Sequence, residues 1–387
     1  MNKFVKIMPA LLLATLPLVS CSDDKPVNED DLSVKDKAIS LAAEEYVDYT
    51  VLPTYKDMAD AAIELHDLCL AMQAKHEAGT LTAADIKAAG DSWKKSRKSW
   101  ELSEAFLFGP AANHNIDPHI DSWPLDKAAM DDLLDEIRNG KKNWSLDNNG
   151  GYGLIGFHSI EYMLFELSAN GNTSLTHSTA YTPEELVYLT AVTEDLRNQA
   201  VCLEACWAGT ENVSAQKQAI LEDAELDYAE EYGWEMKNAG KGGSRFKTYQ
   251  HVAEEIIQGC IDIADEVGNT KIGRPHFAAS EEDRNYIESP YSLNSIEDFV
   301  DNIISIRNSY CGSRNGQPSL SDYVKSFNPT LDAKLITAIN NAITAIQAIP
   351  EPFTKTAKGT EAGNAVDVVG EDLVNVLEEV YDAIVRS

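Results

Sequence analysis

Apolar residues recur every three or four positions along almost the whole chain, the spacing that lines one face of an α-helix. The strict alternation expected of half-buried strands is nearly absent. From Val34 to Lys75 the helical period holds on both sides of a break near Pro53. Further helices are predicted over Ala83–Phe108, Leu125–Arg138 with Gly140 as its stop, and Gly153–Leu167. Thr182 as N-cap and Pro183 in the first turn open another, which runs to about Trp207. Ser214–Asn238, Ser244–Val267, Ser295–Cys311, Pro329–Ile349 and Gly363–Arg386 follow the same rule. Two stretches, Gly109–Pro124 and about Lys271–Asn294, read as irregular and too long for simple loops, a pattern often tied to function. The pattern therefore predicts an all-α fold of antiparallel bundles. The glycine-rich run Asn238–Gly243 is the best boundary, giving bundles over 34–241 and 242–387.

The first 33 residues stand outside that pattern. Lys3 and Lys6 precede a mostly apolar run from Ile7 to Val19, too short to span a membrane and typical of a signal peptide over residues 1–20. The run ends in Leu18-Val19-Ser20-Cys21, which resembles a bacterial lipobox; cleavage there leaves Cys21 to be acylated. The alternative is an ordinary secretory signal with a chance cysteine. Residues 21–33 are polar and acidic and read as a tether, and the Cys-Ser-Asp-Asp start resembles surface-export signals of some Gram-negative lipoproteins. The expected location is the cell envelope, on the outer membrane, facing periplasm or exterior, with the lipid membrane as partner through Cys21.

Composition narrows the partners. The chain has 387 residues, with 63 Asp and Glu against 32 Lys and Arg, a formal charge of −31. Removing residues 1–20 takes two lysines and no acids, which makes the charge −33. Such a surface repels phosphate, so nucleic acid is excluded as a partner, whereas a cation suits it. Cys69, Cys202, Cys206, Cys260 and Cys311 remain after cleavage and read as small buried residues. Cys202 and Cys206, four apart on a helix, are awkward to bridge. No C-x-x-C pair is present, so spacing gives no sign of a thiolate zinc site.

The helix around residue 158 carries the chemistry. From Gly153 to Glu166 it is apolar on nearly every face, the mark of a buried helix. Yet it holds His158 and Glu161, three apart and so on one face. A lone buried carboxylate costs several kcal/mol, so Glu161 must be protonated, paired or bound to a cation. Di-iron bundles use Glu-x-x-His; here the order is reversed. Gly156 would let another backbone come close to the histidine. The plain alternative is a satisfied His–Glu hydrogen bond in the core.

Gly156-Phe157-His158-Ser159-Ile160-Glu161 matches the G-x-H-x-x-E signature of the imelysins, a family classed as metallopeptidases and linked to iron uptake. The resemblance extends to Trp93-x-x-x-Arg97-x-x-Trp100-x-x-x-Glu104-Ala105-Phe106-x-Phe108-Gly109 and to Ile116-Asp117-Pro118-His119-Ile120-Asp121-Ser122-Trp123-Pro124. Glu288-Ser289-Pro290-Tyr291-Ser292-Leu293-Asn294-Ser295 is similar to a second-half motif richer in Glu and with Cys-Phe, which this chain lacks. Asn308-Ser309-Tyr310-Cys311-Gly312 resembles a further block. The resemblance implies two bundles related by pseudo-two-fold symmetry. A faint echo between Arg97-Lys98-Ser99-Trp100 and Arg307-Asn308-Ser309-Tyr310 is compatible with a duplication. It also implies a site between the bundles. Carried over by position, its metal ligands are His158, Glu161, Glu104 and His119, with Arg97, Asp117, Asp121, Ser292 and Asn294 lining it; Asp298 is added by helical proximity. Imidazole and carboxylate suit iron or zinc. Two ligands are too few, so His119 or Glu104 would complete the set, with Arg97 clamping a carboxylate. The plainer readings are loop capping for Asp117, His119 and Asp121, and a salt bridge from Arg97 to Glu104. His66, His76, His177, His251 and His276 lie outside these blocks and read as surface or packing residues.

Three functions compete. The first is an extracytoplasmic lipoprotein of iron or other metal acquisition, with iron-uptake or envelope proteins as partners. The second is a metallopeptidase, which needs a metal with an open position and a base; the chain has no H-E-x-x-H, and Glu161 cannot easily be both ligand and base. The third is a non-catalytic, partner-binding helical scaffold.

Overall fold

The computed structural model describes residues 32–140, 146, 151–165 and 181–387. The expected signal peptide, Cys21 and most of the expected tether lie outside the described residues, as do Glu166, Leu167 and His177. Every regular element among the described residues is a helix.

Ser33 caps α1 (Val34–Tyr46) by accepting from the Asp36 amide. The expected break near Pro53 is a single π-turn, Val47–Val51, and the chain then continues as α2 (Leu52–Glu77) with Pro53 in its first turn. Proline lacks the amide that the preceding turn would use, and a widened turn absorbs that loss without ending the helix. Next come α3 (Ala83–Glu101), α4 (Pro110–Asn113), α5 (Ile116–Asp121) and α6 (Lys127–Arg138). The predicted helix to Phe108 thus stops at Glu101, followed by a 3-10 turn, Glu104–Phe106. α7 (Gly156–Phe165) carries the G-x-H-x-x-E sequence. α8 (Pro183–Ala208) starts from Thr182 and Glu185 in a reciprocal capping box.

The expected helix Ser214–Asn238 is two helices, α9 (Ala215–Ala224) and α10 (Tyr232–Lys237). Between them Glu225 and Ala229 have positive φ, and the Asp227 carboxylate accepts from the Ala229 amide, closing a turn that helical spacing does not show. α11 (Tyr249–Asp265) runs through a second π-turn, Glu266–Ile272, into α12 (Gly273–His276), so much of the segment read as irregular from Lys271 is helical. Then follow α13 (Glu281–Asn285), α14 (Ser295–Cys311), α15 (Leu320–Phe327), α16 (Pro329–Gln347), α17 (Phe353–Thr356), α18 (Thr360–Val366) and α19 (Val374–Arg386). A third π-turn, Asp367–Leu373, joins the last two. It packs on the second, where a Cβ on Gly268 would stand 2.4 Å from Gly370 Cα.

Two sets of helices bury their apolar stripes together. In the first, α2 packs on α3 and α8, and α7 bridges α3 and α8. In the second, α11 packs on α14 and α19, and α16 on α14 and α19. α1 leaves the first set to lie on α11 and α15, and α3 meets α14 across the seam. The first core is held by aromatic side chains with polar tips: Tyr55 donates to the Phe106 carbonyl at 3.0 Å and Trp93 to the Phe157 carbonyl at 3.0 Å, both side chains fully buried. No helix among the described residues is long and apolar enough to cross a membrane.

Candidate metal centre at the seam

The seam holds a buried ionic cluster, and its centre is Arg97. α3 is amphipathic, but near its C-terminus the inward face carries Arg97 and Glu101 one turn apart between Trp93 and Trp100. Arg97 is wholly buried. Its Nη1 reaches Asp121; its Nη2 reaches Glu101 and, at 2.7 Å, Glu288 Oε1; its Nε lies 3.5 Å from Asp298 Oδ2. Burial disfavours the charged guanidinium, but these carboxylates outweigh it and raise its pKa further. Lys271, placed by the second π-turn, meets Glu288 at 3.1 Å, Glu104 at 3.4 Å and Glu101 at 3.6 Å. The salt bridge expected between Arg97 and Glu104 is therefore not formed; Lys271 takes Glu104, and Arg97 turns to the seam.

His158 lies at the edge of this cluster. Its Nε2 is 3.0 Å from Asp121 Oδ1 and its Nδ1 3.6 Å from Glu161 Oε2, yet neither contact has hydrogen-bond geometry. The Trp123 ring covers it at 4.4 Å between centroids. Gly156 brings α7 this close to α5. Its φ is +78°, and a Cβ there would stand 2.3 Å from the Ile120 carbonyl oxygen. Glu161 faces the second half: its Oε1 accepts from the Tyr291 and Ser292 amides at 3.0 and 2.7 Å and from the Ser292 hydroxyl at 2.7 Å. Asn294 and Ser289 donate to Asp298, at 2.6 and 2.5 Å.

Electrostatics sorts the acids. Burial raises Asp121, but Arg97 and His158 overturn that and hold it well below the usual carboxylate range. Burial wins at Glu101, Glu104 and Asp298, whose pKa values rise despite Lys271 or Arg97 nearby. Asp117 is pushed to about 7, by burial first and by Asp121 and Glu266 after it. Burial also works against a charged His158, but Asp121 and Glu161 beside its nitrogens raise its pKa.

Of the residues expected to line the site, Arg97, Asp121, His158, Glu161, Ser292, Asn294 and Asp298 meet in one connected network. Two expected ligands fall elsewhere. His119 turns away from His158, with its Nδ1 3.3 Å from Asp195 on α8 and its ring against Tyr152. Glu104 belongs with Glu101 and Asp121, not with the imidazole. The group whose donor atoms lie within 4.8 Å of one another around the histidine is Asp121, His158 and Glu288. Glu161 stands behind the ring, where it can orient Nδ1. Sequence reasoning passed over Glu101, Lys271 and Glu288. The four-residue spacing of Arg97 and Glu101 signals the first; nothing local signals Lys271.

The donor chemistry fits a transition-metal ion. Imidazole and two carboxylates are suitable ligands for iron or zinc. The His158 nitrogens and Glu288 Oε2 are buried without a hydrogen-bond partner, which is costly in a cluster with nothing further to bind. A cavity of about 120 Å³ opens beside them, lined by Asp121, Trp123, Glu266, Lys271, Tyr286 and Glu288 among others.

The family described as Imelysin matches residues 51–382. The chain belongs to the imelysin family. Iron-regulated protein A of Synechococcus elongatus is 30% identical over 315 residues, 80% of this chain and 75% of that protein. A crystal structure from Parabacteroides distasonis, of a protein provisionally called an iron-regulated protein A precursor, is 28% identical with a TM-score of 0.70. That match covers 90% of this chain and 95% of the other. An imelysin-like protein from Psychrobacter arcticum shares the fold at 16% identity and a TM-score of 0.57, covering 90% and 97% of the two chains.

Proposed function

We propose that this imelysin is an envelope lipoprotein, anchored through Cys21, that binds a metal ion at the seam through His158, Asp121 and Glu288. Iron is the favoured ion, because two relatives carry iron regulation in their names and the donor set suits it. The observation that carries the reading is the buried His158 ring, whose nitrogens lie among carboxylates without an aligned hydrogen bond. Glu101, Glu104, Asp121, Glu161, Glu288 and Asp298 outnumber the fixed cations Arg97 and Lys271, so a bound cation would offset charge that otherwise demands protons.

Peptide cleavage is less well supported by the geometry. Glu161, the base candidate on α7, has one oxygen committed to three donors from 291 and 292. The adjoining cavity of about 120 Å³ is small beside the ~300–1,000 Å³ of ligand pockets. A scaffold without metal draws support from one fact: Arg97 already bonds Glu101, Asp121 and Glu288. Metal analysis of protein purified without chelator separates the two. About one equivalent of iron is expected, lost in His158→Ala and kept in His119→Ala. Wild-type protein that retains no iron after dialysis against that ion would establish the scaffold instead.

A further inference from the structure

A second group of donors lies at the C-terminal end of α8, apart from the His158 network. Cys206 is 3% exposed on that helix. His114 follows α4, and Glu230 sits in the turn between α9 and α10. Their donor atoms lie within 4.8 Å of one another, with His114 Nε2 2.7 Å from Glu230 Oε2. The His114 ring is fixed by stacking on Tyr228, with centroids 3.8 Å apart and planes 10° from parallel. The other Glu230 oxygen, Oε1, accepts from Arg245, which holds the carboxylate from behind. Ala229, between the stacking tyrosine and the glutamate, is in the left-handed region at φ +48°, uncommon for a residue with a side chain. The group is shallow as well as ordered: the His114 side chain is 23% exposed.

We propose that Cys206, His114 and Glu230 form a second metal site, for a divalent cation of the zinc class. Sulfur, nitrogen and oxygen donors in a set of three match zinc with one position left open. Binding is balanced by proton release: the Cys206 thiol gives its proton to solvent as the sulfur–metal bond forms. The Nε2 proton that His114 shares with Glu230 moves to Nδ1, so that the lone pair of Nε2 faces the ion. Cys202, one turn earlier, pushes the Cys206 thiol up together with burial and Glu230. A dication at this point would offset the same unfavourable surroundings. No local spacing betrays the site, because its three donors are far apart in the chain.

Cobalt(II) added to the folded protein tests the site, since no thiol belongs to the His158 group and a thiolate-to-cobalt charge-transfer band reports on a cysteine ligand. Cobalt in excess of both centres should produce the band in wild type and in His158→Ala. Cys206→Ser should lose it, and His114→Ala should weaken binding by at least about tenfold, the scale of loss for supporting groups. As a check that needs no variant, zinc should protect Cys206 from alkylation, with the labelled site read by mass spectrometry after digestion. No band in wild type, a band that survives Cys206→Ser, or alkylation of Cys206 at an unchanged rate in zinc would each overturn the proposal. All three results are independent of whether the His158 centre binds metal.

Discussion

Replacing Arg97 by methionine keeps much of its length and removes its charge. The guanidinium is wholly buried, and it holds Glu101, Asp121, Glu288 and Asp298. A buried ion pair is weak evidence for stability when exchanged whole, but deleting one partner strands the other and costs about 3–5 kcal/mol. Four stranded carboxylates do not cost four times that, because they take up protons. The expected loss is therefore about 3–5 kcal/mol, which for an unfolding entropy of roughly 0.7 kcal/mol/K in a chain this long is about 4–7 °C in Tm. The pH dependence is the sharper test. In wild type Asp121 is held below its ordinary value, so its stabilisation is present above the unfolded pKa and fades as pH falls through the folded one. Without Arg97, Asp121 loses the largest charge holding it down, and Glu101 and Asp298, which burial already raises, rise further above their unfolded values. Their protonated forms then favour the native state, and that contribution is lost as pH rises. Urea unfolding followed by tryptophan fluorescence should show Arg97→Met gaining on wild type between about pH 7.5 and about pH 5.5. A loss under about 1 kcal/mol, or a deficit that grows on acidification, would refute the placement of Arg97 at the centre of the charge network.

Gly156→Ala should cost about 2–4 kcal/mol, from left-handed strain and a backbone clash with Ile120. Gly151→Ala, at φ +77° and ψ −168° with open space around it, should cost only backbone strain of about 1–3 kcal/mol and no clash; equal urea midpoints for the two would argue against the close α5–α7 approach. Cys21→Ser in the producing cell should abolish labelling by palmitate and release the protein from the membrane fraction. Unchanged labelling would remove Cys21 as the anchor point.

Much of the fold was legible because long helices write their period into the sequence. Ser295–Cys311 was read to the residue, and Pro183 with Thr182 marked the start of α8. The failures have local causes. Helical spacing cannot distinguish a π-turn from a break, so the continuation of the helix past Val267 was missed, and with it Lys271 itself. Nor does it register a turn closed by one side chain, as Asp227 closes the one before α10. At the site, residues within one helix were readable: His158 and Glu161 share a face of α7. Two readings failed for different reasons: His119 as a ligand came with the family resemblance, and Asp195 on α8 holds it instead, while Glu104 as the partner of Arg97 extended helical spacing past Glu101, where α3 ends.

The same difference explains why Glu161 changes role. In sequence, an imidazole and a carboxylate one turn apart look like two ligands for one ion. In the structure the helix carries only one of them to the cluster. The ring of His158 turns to Asp121 on α5, while Glu161 reaches across to the amides of Tyr291 and Ser292. Those amides come from the second set of helices, so Glu161 ties the sets together while its other oxygen faces the ring. A carboxylate bonded to two amides and a hydroxyl is fixed in place, and its other oxygen stays 3.6 Å from Nδ1, across the ring from the nitrogen that meets Asp121. Arg97 does the corresponding work on the other flank, joining Glu101 of its own helix to Glu288 and Asp298 of the second half. His158 is thus positioned by contacts that also hold the seam, so the geometry of the centre and the docking of the two helix sets cannot be altered separately at these positions.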